Sequence, residues 1–415
     1  MKFVGPSDVS GSLNAPASKS HAQRSILLAA LADGNSKITN PSRCGDAASA
    51  LGVARGLGAV VEDRGPDIGI WGGMVSRTSP LDCGESGFCL RAAAPIAAVF
   101  EEECTITGRD TLLTRPAGMI VTPLKNLGAQ CTTAEGGVPP VTVKGPMQGG
   151  RSAVDGSTGS QLLSGLLMAL PMCPYDSELK VVGLKSKPYV EMTLDSIRAF
   201  GGEVDRDAEL TSFKIKGGQR YKATEVEIEG DWSCSAFLLV AGALCGEVNV
   251  EGLRPISRQG DKAIMKVLGS AGVAVAWSKT GLKVARGKLK AFQYDAAQTP
   301  DLIPPLLALA CGCEGRSQIK GAERLRHKET DRASTLPAEL TKIGAKIEVR
   351  GDWIFVTGSK LKGGTVDSRG DHRVAMTCAI AGLISESGVT INGDACVAKS
   401  YPSFFADLES IKIKK

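Results

Sequence analysis

The sequence predicts an α/β protein assembled from six similar units of about 70 residues each. Short, almost wholly apolar segments alternate with amphipathic segments along the whole chain. Five amphipathic segments end in an apolar residue followed by Gly, at positions 58, 128, 201, 269 and 344. Gly commonly follows a helix because it adopts the left-handed conformation without strain. These glycines are 70, 73, 68 and 75 residues apart, so 415 residues correspond to six units.

Each unit is predicted to contain two kinds of helix. A segment that is apolar on every side is typical of a helix buried on every side. Such segments are residues 25–32, 90–100, 162–170, 236–245, 302–311 and 374–384. The amphipathic helices should face water on one side, and Pro in a first turn indicates where several of them begin. Their predicted starts are Arg115-Pro116, Lys187-Pro188, Lys328-Glu329 and Tyr401-Pro402.

Each unit then reads as strand, buried helix, strand, surface helix and strand. β-rich patterns beside turn residues predict edge strands near residues 141–143, 214–216, 283–285 and 354–356. The sixth surface helix, residues 404–411, has no segment after it for the last strand. We expect residues 2–4 to supply that strand by pairing with the C-terminal half, which splits one domain across both ends of the chain.

Composition excludes several classes of protein. Charged residues make up 22% and hydrophobic residues 43%, the balance of a folded globular protein rather than a disordered or fibrous one. The net charge of +5 fits an anionic partner. Aromatic residues are only 5% and Lys and Arg form no dense run, so small anions are favoured over nucleic acid.

The cysteines and histidines argue against a metal site. The 12 Cys include no Cys-x-x-Cys pair, and the chain has only 3 His. We interpret the Cys as reduced, buried thiols of a cytoplasmic protein. Residues 1–12 lack the apolar core of a signal peptide. The longest uncharged stretch, residues 156–175, contains Ser, Thr, Gln and two Pro, which favours a buried helix over a membrane span.

Basic residues collect near the predicted helix starts. Helix N-termini present N–H groups without intrahelical partners and a partial positive charge, so several of them around one site would bind anions. Added Lys and Arg side chains suit substrates that carry phosphate and carboxylate groups. Taken singly, each position is more typical of an ordinary cap or a solvated charge than of a binding residue. The residues concerned are Lys19, Arg24, Arg91, Arg115, Lys328, Arg332, Arg373 and Lys399.

A series of motifs resembles one enzyme family. Lys19-Ser20-His21-Ala22-Gln23-Arg24 resembles the opening motif of the 5-enolpyruvylshikimate-3-phosphate synthases. Further motifs match in order and spacing along the whole chain, which makes the resemblance specific. They are Gly84–Arg91, Thr114-Arg115-Pro116, Asp155-Gly156-Ser157, Ser160-Gln161, Ser186-Lys187-Pro188-Tyr189, Pro300-Asp301, Arg326–Arg332, Asp371-His372-Arg373 and Ala398-Lys399.

The resemblance implies a two-domain inside-out α/β barrel. Each domain has three repeats, with parallel helices inside and sheets outside, and the active site lies in the cleft between the domains. Two chain crossings are implied, near residues 14–20 and 228–232. The expected domains are residues 1–17 with 230–415, closed by the N-terminal strand, and residues 18–229.

The resemblance also implies the reaction. The enolpyruvyl group of phosphoenolpyruvate is transferred to the 5-hydroxyl of shikimate 3-phosphate, releasing phosphate, in the shikimate pathway to chorismate and aromatic amino acids. The reaction passes through a tetrahedral intermediate and requires neither a metal nor a cofactor. Asp301 matches the base that acts on the hydroxyl. Glu329 is the main candidate for the acid near C3 of phosphoenolpyruvate, with Lys19 as its partner.

Binding roles follow from the same motif matches. Shikimate 3-phosphate is expected to contact Lys19, Ser20, Arg24, Gly159, Ser160, Gln161, Ser186, Asp301 and Lys328. Phosphoenolpyruvate is expected to contact Lys19, Gly87, Arg115, Gln161, Arg332, Arg373 and Lys399. Tyr189 is expected to pack beside the ring of shikimate 3-phosphate. The two small molecules are the expected partners, without nucleic acid or membrane, and the protein is expected to act as a cytoplasmic monomer.

The chain departs from the family pattern at two places. Family members often have Asn-Ala-Gly-Thr where this chain has Glu85-Ser86-Gly87-Phe88. An acid and a bulky ring at this position are expected to alter affinity for phosphoenolpyruvate and for inhibitors that mimic it. Gly159 replaces a Ser that often precedes the Ser-Gln pair, which removes one hydroxyl contact.

Two alternatives share the fold or related repeats. One is an enolpyruvyl transferase that acts on UDP-N-acetylglucosamine. That family opens with a Lys-Asn motif, where this chain has Lys19-Ser20, and it uses a loop Cys or Asp that the motifs quoted above do not include. The other is an RNA-end cyclase, which predicts a nucleotide-linked His and RNA binding.

Overall fold

The computed structural model describes residues 1–73 and 78–413, and this part of the chain alternates helices with short strands. The helices are α1 (Lys19–Leu31), α2 (Gly45–Gly56), α3 (Gly87–Ala97), α4 (Val121–Asn126), α5 (Gln161–Ala169), α6 (Lys187–Ala199), α7 (Trp232–Cys245), α8 (Ile264–Ser270), α9 (Ile303–Cys311), α10 (Arg332–Lys342), α11 (His372–Leu383) and α12 (Phe404–Ser410).

The described strands are short and alternate with these helices. They are β1 (Lys2–Val4), β2 (Val9–Asn14), β3 (Gly34–Thr39), β4 (Val60–Asp63), β5 (Asp67–Gly72), β6 (Leu81–Asp82), β7 (Glu103–Thr107), β8 (Gln130–Thr133), β9 (Val141–Lys144), β10 (Gly150–Asp155), β11 (Ser177–Val182), β12 (Asp205–Arg206), β13 (Ser212–Ile215), β14 (Glu225–Glu227), β15 (Gly246–Glu251), β16 (Ala274–Trp277), β17 (Gly281–Ala285), β18 (Gln293–Asp295), β19 (Arg316–Lys320), β20 (Lys346–Arg350), β21 (Trp353–Thr357), β22 (Gly364–Asp367) and β23 (Val389–Asn392).

The described strands form six small sheets, one for each predicted repeat. Three have the orders β14-β3-β5-β4, β6-β7-β9-β8 and β10-β11-β13-β12. The other three have the orders β16-β17-β15-β2, β18-β19-β21-β20 and β1-β23-β22. In the four-stranded sheets, one parallel pair is followed by two antiparallel pairs, as in β6, β7, β9 and β8. The predicted α/β fold with six repeats is confirmed by these sheets and their paired helices.

The predicted edge strands are wrong in one respect. β9, β13, β17 and β21 cover the predicted positions, but each lies inside its sheet. Each is the return strand of a hairpin, so it pairs on one side with the strand before the turn and on the other with the middle strand. In these four sheets, β8, β12, β16 and β20 form one edge, and β6, β10, β2 and β18 form the other.

The prediction of buried helices is confirmed. Every residue of α3, α7, α9 and α11 is buried, and so are most residues of α1 and α5. Burial on all sides removes apolar surface from water around the whole helix, which is why these segments carry so few polar residues. No helix in the described ranges is long and apolar enough to cross a membrane.

The repeat is more regular than the sequence pattern indicates. Gly58, Gly128, Gly201 and Gly344 adopt positive φ, as expected of residues that follow a helix. Gly269 was expected in this role but lies inside α8, and Gly272 takes the positive φ of +84° instead. With Gly272 in the series, the spacings become 70, 73, 71 and 72 residues.

Three predicted helix starts are displaced. α6 begins at Lys187, as predicted from Lys187-Pro188. The other three helices, α4, α10 and α12, begin at Val121, Arg332 and Phe404, three to six residues after their predicted starts. In each of these cases the Pro or charged residue belongs to the turn that leads into the helix, which leaves Arg115, Lys328 and Glu329 on loops.

The chain divides into two compact units. The continuous unit is Ala17–Ile228, and the discontinuous unit combines Met1–Pro16 with Glu229–Lys415. In the discontinuous unit, β1 pairs antiparallel with β23, and β2 pairs parallel with β15, so the N-terminal segment completes two of its sheets. Each unit has its own continuous hydrophobic core around its three buried helices.

Candidate functional site

The continuous unit presents the first motif at the start of a buried helix. Ser18 caps α1 by accepting the N–H of His21 at 3.4 Å. Lys19 follows at the first helical position, and its Nζ lies 3.1 Å from Oδ2 of Asp46. Asp46 is in the first turn of α2 and is buried. The lysine, one of the predicted catalytic groups, is therefore held in place by a carboxylate from the neighbouring helix.

Arg24 lies one turn further along α1 and is buried with a different set of partners. Its Nε donates to Oγ1 of Thr193 at 2.8 Å, and Nη2 donates to the hydroxyl of Ser164 and the carbonyl of Tyr189. Nη1 donates to the carbonyl of Ser20 at 2.8 Å. Burial lowers the pKa of Arg24 to about 10, a shift that Tyr189 partly opposes. The guanidinium therefore remains cationic at neutral pH.

The loop that departs from the family pattern is tied to its surroundings at three of its four residues. Glu85 accepts a hydrogen bond from the Thr111 hydroxyl at 2.6 Å. Ser86 caps α3 by accepting the N–H of Cys89. Phe88 is 6% exposed and packs against Arg24. The Glu85 carboxylate and the Phe88 ring thus both have partners within the continuous unit.

Gly87 lies between two guanidinium groups at the first position of α3. A Cβ atom at Gly87 would be 2.7 Å from Nη1 of Arg91 and 2.7 Å from Nη1 of Arg115. Contacts this short do not occur, so any side chain here must displace an arginine. Arg91 also donates to the Gly87 carbonyl at 3.1 Å and to the Pro116 carbonyl at 2.6 Å. Arg91 thereby joins Gly87 to the turn that carries Arg115.

The same arginine reaches the start of α5. Nη1 of Arg91 donates to Oε1 of Gln161 at 2.8 Å. Ser160 and Gln161 occupy the N-terminal cap and first positions of α5, where N–H groups have no intrahelical partner. Gly159 has a φ of +142° and donates its own N–H to the carbonyl of Gly156. The Gly159 N–H is thus already bonded within the turn, and side-chain hydrogen bonds to a ligand at this point are left to Ser160 and Gln161.

Ser186, the N-cap residue that precedes α6, is in the left-handed conformation, with a φ of +58°. This conformation is uncommon for a residue other than Gly and is found often at functional positions. α6 also provides Tyr189 and Thr193, both partners of Arg24. The continuous unit thus joins Ser20, Arg24 and the start of α6 in one group, and Gly87, Arg115 and Gln161 in another through Arg91.

The discontinuous unit gathers its predicted residues around one carboxylate. Asp301 lies in a short 3-10 helix before α9. Its Oδ1 is 3.3 Å from Nζ of Lys328 and 3.2 Å from Nη1 of Arg332, and its Oδ2 is 3.5 Å from Nη2 of Arg373. Arg373 also donates to the Asp301 carbonyl at 3.0 Å and to the Ser233 hydroxyl at 2.7 Å.

A second carboxylate connects the remaining cations. Oε2 of Glu329 is 2.6 Å from Nη2 of Arg332, and Oε1 is 3.4 Å from Nζ of Lys399. Arg332 is also held by Asp371, through Nε at 2.7 Å and Nη2 at 3.0 Å. Asp371 is fully buried, whereas the Asp301 side chain is 30% exposed. Asp301 is therefore accessible to a ligand, and Asp371 positions Arg332 from behind.

The charges set the protonation states of this group. Burial would raise the pKa of Asp301, but Arg373, Lys328 and Arg332 outweigh burial and hold that pKa well below its usual range. Burial lowers the pKa of Lys328, an effect that Asp301 partly offsets. Burial also opposes the charge of Arg332, but Asp371 and Glu329 outweigh it and raise the pKa of that group. Asp301 is thus ionised at neutral pH and surrounded by cations.

Several residues that support this site were missed by the sequence reasoning. Asp46, Ser233 and Asp371 each orient a predicted residue without being assigned a role. Arg91 was expected only as one of the basic residues near helix starts, and its contact with Gln161 was not foreseen. Asp371 stands within a recognised motif, so its position was a usable signal. Asp46 and Ser233 are distant in sequence from Lys19 and Arg373, and no local pattern indicates these pairs. The described residues contain no group of three His, Cys, Asp or Glu arranged to hold a metal ion.

Comparisons with known proteins identify the family. The family described as EPSP synthase (3-phosphoshikimate 1-carboxyvinyltransferase) matches residues 4–408. The chain is 38% identical to the 3-phosphoshikimate 1-carboxyvinyltransferase of Methanocella arvoryzae, over 99% of this chain and 98% of that relative. It is 36% identical to the protein of the same name from Clostridium acetobutylicum, over 98% and 96% of the two chains.

Solved structures give the same result. The EPSP synthase of Acinetobacter baumannii aligns with a TM-score of 0.83 at 26% identity, over 99% of this chain and 98% of that one. The enolpyruvyl transferase NikO of Streptomyces tendae shares the fold, with a TM-score of 0.79 at 16% identity. On the family match over nearly its whole length, the chain belongs to the EPSP synthase family.

Proposed function

We propose that the Arg24 and Arg91 groups of the continuous unit and the Asp301 group of the discontinuous unit act on one pair of substrates, phosphoenolpyruvate and shikimate 3-phosphate. As a member of its family, the protein transfers the enolpyruvyl group of the former to the 5-hydroxyl of the latter and releases phosphate, in the pathway to chorismate and aromatic amino acids. The observation that carries the proposal is Asp301, an ionised and partly exposed carboxylate in contact with three cations.

Asp301 is proposed as the base for the 5-hydroxyl. A carboxylate that is ionised at neutral pH can accept a proton, but one held by Lys328, Arg332 and Arg373 is a weak base. Anionic substrates compete for the same three cations. Their binding leaves Asp301 less compensated and hence more basic at the moment when the hydroxyl is in position. Catalysis is thereby linked to the presence of substrate.

The reaction proceeds by addition and elimination. In the addition, the 5-oxygen forms a bond to C2 of phosphoenolpyruvate, C3 gains a proton, and the hydroxyl proton passes to Asp301. In the elimination, the C2–O bond to phosphate breaks and C3 loses a proton. Glu329 is proposed to give and take the proton at C3, with Lys19 as its partner. Substrate anions that draw Arg332 and Lys399 away from Glu329 favour its protonated form, which gives the proton to C3 in the addition. The resulting carboxylate then takes a proton from C3 in the elimination.

The cations are proposed to bind and orient the two anions. The residues assigned to phosphoenolpyruvate are Lys19, Gly87, Arg115, Gln161, Arg332, Arg373 and Lys399. Ser20, Arg24, Gly159, Ser160, Ser186 and Lys328 are assigned to shikimate 3-phosphate, with Lys19, Gln161 and Asp301. Fixed cations stabilise charge that develops on the leaving phosphate, and fixed orientation lowers the entropy cost of bringing two molecules together.

The organisation of the chain is part of the same proposal. Residues 1–17 with 230–415 and residues 18–229 are proposed as the two domains of the family, each with three repeats. The Asp301 group belongs to the first domain and the Arg24 and Arg91 groups to the second. Shikimate 3-phosphate and phosphoenolpyruvate are proposed as the only partners of a monomeric enzyme that acts in the cytoplasm without a metal or other cofactor.

A phosphate-release assay tests the proposed function. Purified protein is given phosphoenolpyruvate with shikimate 3-phosphate, with UDP-N-acetylglucosamine, or with no acceptor. We expect stoichiometric phosphate release with shikimate 3-phosphate alone. Release with UDP-N-acetylglucosamine instead would show that the protein transfers the enolpyruvyl group to the amino sugar. No release with either acceptor, from protein with a native circular dichroism spectrum, would reject enolpyruvyl transfer.

A further inference from the structure

The ring of Phe88 lies against the guanidinium of Arg24. The distance from Cζ of Arg24 to the ring centroid is 4.4 Å, within the range of a cation–π contact. Both side chains are buried, at 6% and 2% exposure. Phe88 stands at one of the positions where the chain departs from the Asn-Ala-Gly-Thr pattern. The residue that departs from the pattern, Phe88, therefore contacts Arg24 of α1.

The other contacts of Arg24 are all neutral. They are the hydroxyls of Thr193 and Ser164, the carbonyls of Ser20 and Tyr189, and the ring of Tyr189, whose centroid is 6.0 Å from Cζ of Arg24 against 4.4 Å for Phe88. No carboxylate among residues 1–73 and 78–413 forms an ion pair with Arg24, in contrast to Lys19, which is paired with Asp46. A buried cation without a counter-ion is costly unless other groups compensate it. The ring face supplies part of that compensation electrostatically, without adding a negative charge.

This difference matters for a group that binds anions. A carboxylate partner would neutralise Arg24 and would compete with the ligand for it. An aromatic ring fixes the orientation of the guanidinium plane and leaves its net charge uncompensated. Arg24 is thus oriented but still carries the full positive charge that an anionic ligand requires.

A second contact joins the same two elements. Nε2 of Gln23, the residue before Arg24, donates to the hydroxyl of Ser86 at 2.6 Å. The residues on either side of Gly87 are therefore bound to consecutive residues of α1. The loop that carries Gly87 and the helix that carries Arg24 are held in a fixed relation by these two contacts.

From these contacts we propose that Phe88 is a positioning residue for the shikimate 3-phosphate subsite, acting by orienting Arg24. The proposal rests on the proposed function and on the assignment of Arg24 to that substrate. It differs from the expectation that the ring acts on phosphoenolpyruvate. The change at position 88 thus belongs to recognition of the acceptor.

Steady-state kinetics of three position-88 variants test this. Phe88→Leu removes the ring, Phe88→Met removes it while keeping a long apolar side chain, and Phe88→Tyr keeps it. We expect Phe88→Leu and Phe88→Met to raise the KM for shikimate 3-phosphate about tenfold. The KM for phosphoenolpyruvate should stay within about twofold of the wild-type value in these variants. Phe88→Tyr, which keeps the ring, should have the wild-type KM for shikimate 3-phosphate. Phe88→Met provides the comparison if Phe88→Leu does not fold.

Phe213→Leu is the control, because Phe213 is a buried ring in the same unit and no cation among residues 1–73 and 78–413 lies over it. It should lower the melting temperature without changing either KM. In an Arg24→Gln background, Phe88→Leu should have no further effect on the KM for shikimate 3-phosphate. An unchanged KM for shikimate 3-phosphate in ring-less variants, or an equal rise for both substrates, overturns the inference. Failure of the wild-type protein to release phosphate with shikimate 3-phosphate overturns the proposed function instead.

Discussion

The guanidinium of Arg91 donates to Oε1 of Gln161 at 2.8 Å, and this bond determines which way the Gln161 amide faces. Because Oε1 is turned to Arg91, the amide NH2 is left to donate elsewhere. An amide donor suits phosphate and carboxylate oxygens, the groups that both proposed substrates carry. Arg91 also donates to the carbonyl of Pro116, the residue after Arg115. One side chain therefore positions both Gln161 and Arg115, two residues proposed to bind phosphoenolpyruvate.

We predict that Arg91→Lys lowers kcat/KM for phosphoenolpyruvate by roughly tenfold or more. Lysine keeps the charge but cannot donate to Gln161, Gly87 and Pro116 together, and loss of a charge-assisted hydrogen bond costs about 1.5–3 kcal/mol. Steady-state kinetics measure the effect. Arg198→Lys, at an exposed arginine of α6 in the same unit, should behave as wild type. Equal kinetics for both variants would contradict the positioning role.

Gly87→Ala should raise the KM for phosphoenolpyruvate by about tenfold, with a smaller change for shikimate 3-phosphate. The added Cβ would be 2.7 Å from both Arg91 and Arg115, so at least one guanidinium must move. Gly52→Ala is a matched control because nothing lies within 4 Å of its added Cβ. Gly52 lies in a helix, where Ala is favoured by about 1 kcal/mol, so this control should gain stability and keep both KM values.

Asp301→Asn should lower kcat by about 10²–10⁴-fold while the protein remains folded. The amide preserves the volume but cannot accept the hydroxyl proton. The three cations around it are then less compensated, so binding of the anionic substrates should be retained or strengthened. Rapid-quench kinetics and a fluorescence titration separate these effects. Asp295→Asn, at a more exposed carboxylate in the same unit, is the control, and near-normal turnover of Asp301→Asn would reject its role as base.

The pH dependence should report Lys328. Burial lowers the pKa of this ammonium, so it loses its charge at a lower pH than an ordinary lysine. Because binding of an anion requires the charged form, kcat/KM for shikimate 3-phosphate should fall on the alkaline side as pH rises through that pKa. Lys328→Arg keeps the charge and should move this decline to higher pH. Lys320→Arg, at a surface position, should leave the profile unchanged, and an identical profile for Lys328→Arg would exclude Lys328 as the titrating group.

The repeat and the buried helices could be predicted because they depend on local patterns. Apolar segments without a polar face have only one stable environment, and Gly after a helix has a conformational reason to be there. The details failed where two nearby residues satisfy the same rule. Gly269 and Gly272 both fit the end of α8, and only the completed helix decides between them. The Pro-based starts failed at Arg115 and Tyr401 because Pro is equally suited to the preceding turn.

The candidate site shows the same division. Resemblance alone assigned Asp301, Glu329 and the basic residues, since composition favours only an anion-binding protein. The contacts that fix their orientation are long-range, as between Arg373 and Ser233 or Lys19 and Asp46. The contact between Arg24 and Phe88 could not be predicted either. The sequence analysis identified Phe88 as unusual but not the residue that it contacts. Such pairs depend on how helices pack, and no local spacing predicts them.

Deuterium incorporation at C3 tests the central claim most directly, namely that addition and elimination require a proton donor at Glu329. In D2O, protonation and deprotonation at C3 should place deuterium in the vinyl group of the product and in recovered phosphoenolpyruvate, measured by mass spectrometry. Glu329→Gln should abolish most of this incorporation while still binding both substrates, and Glu348→Gln, at an exposed carboxylate, should not. Wild-type incorporation in Glu329→Gln, or product without deuterium from the wild-type protein, would contradict the account.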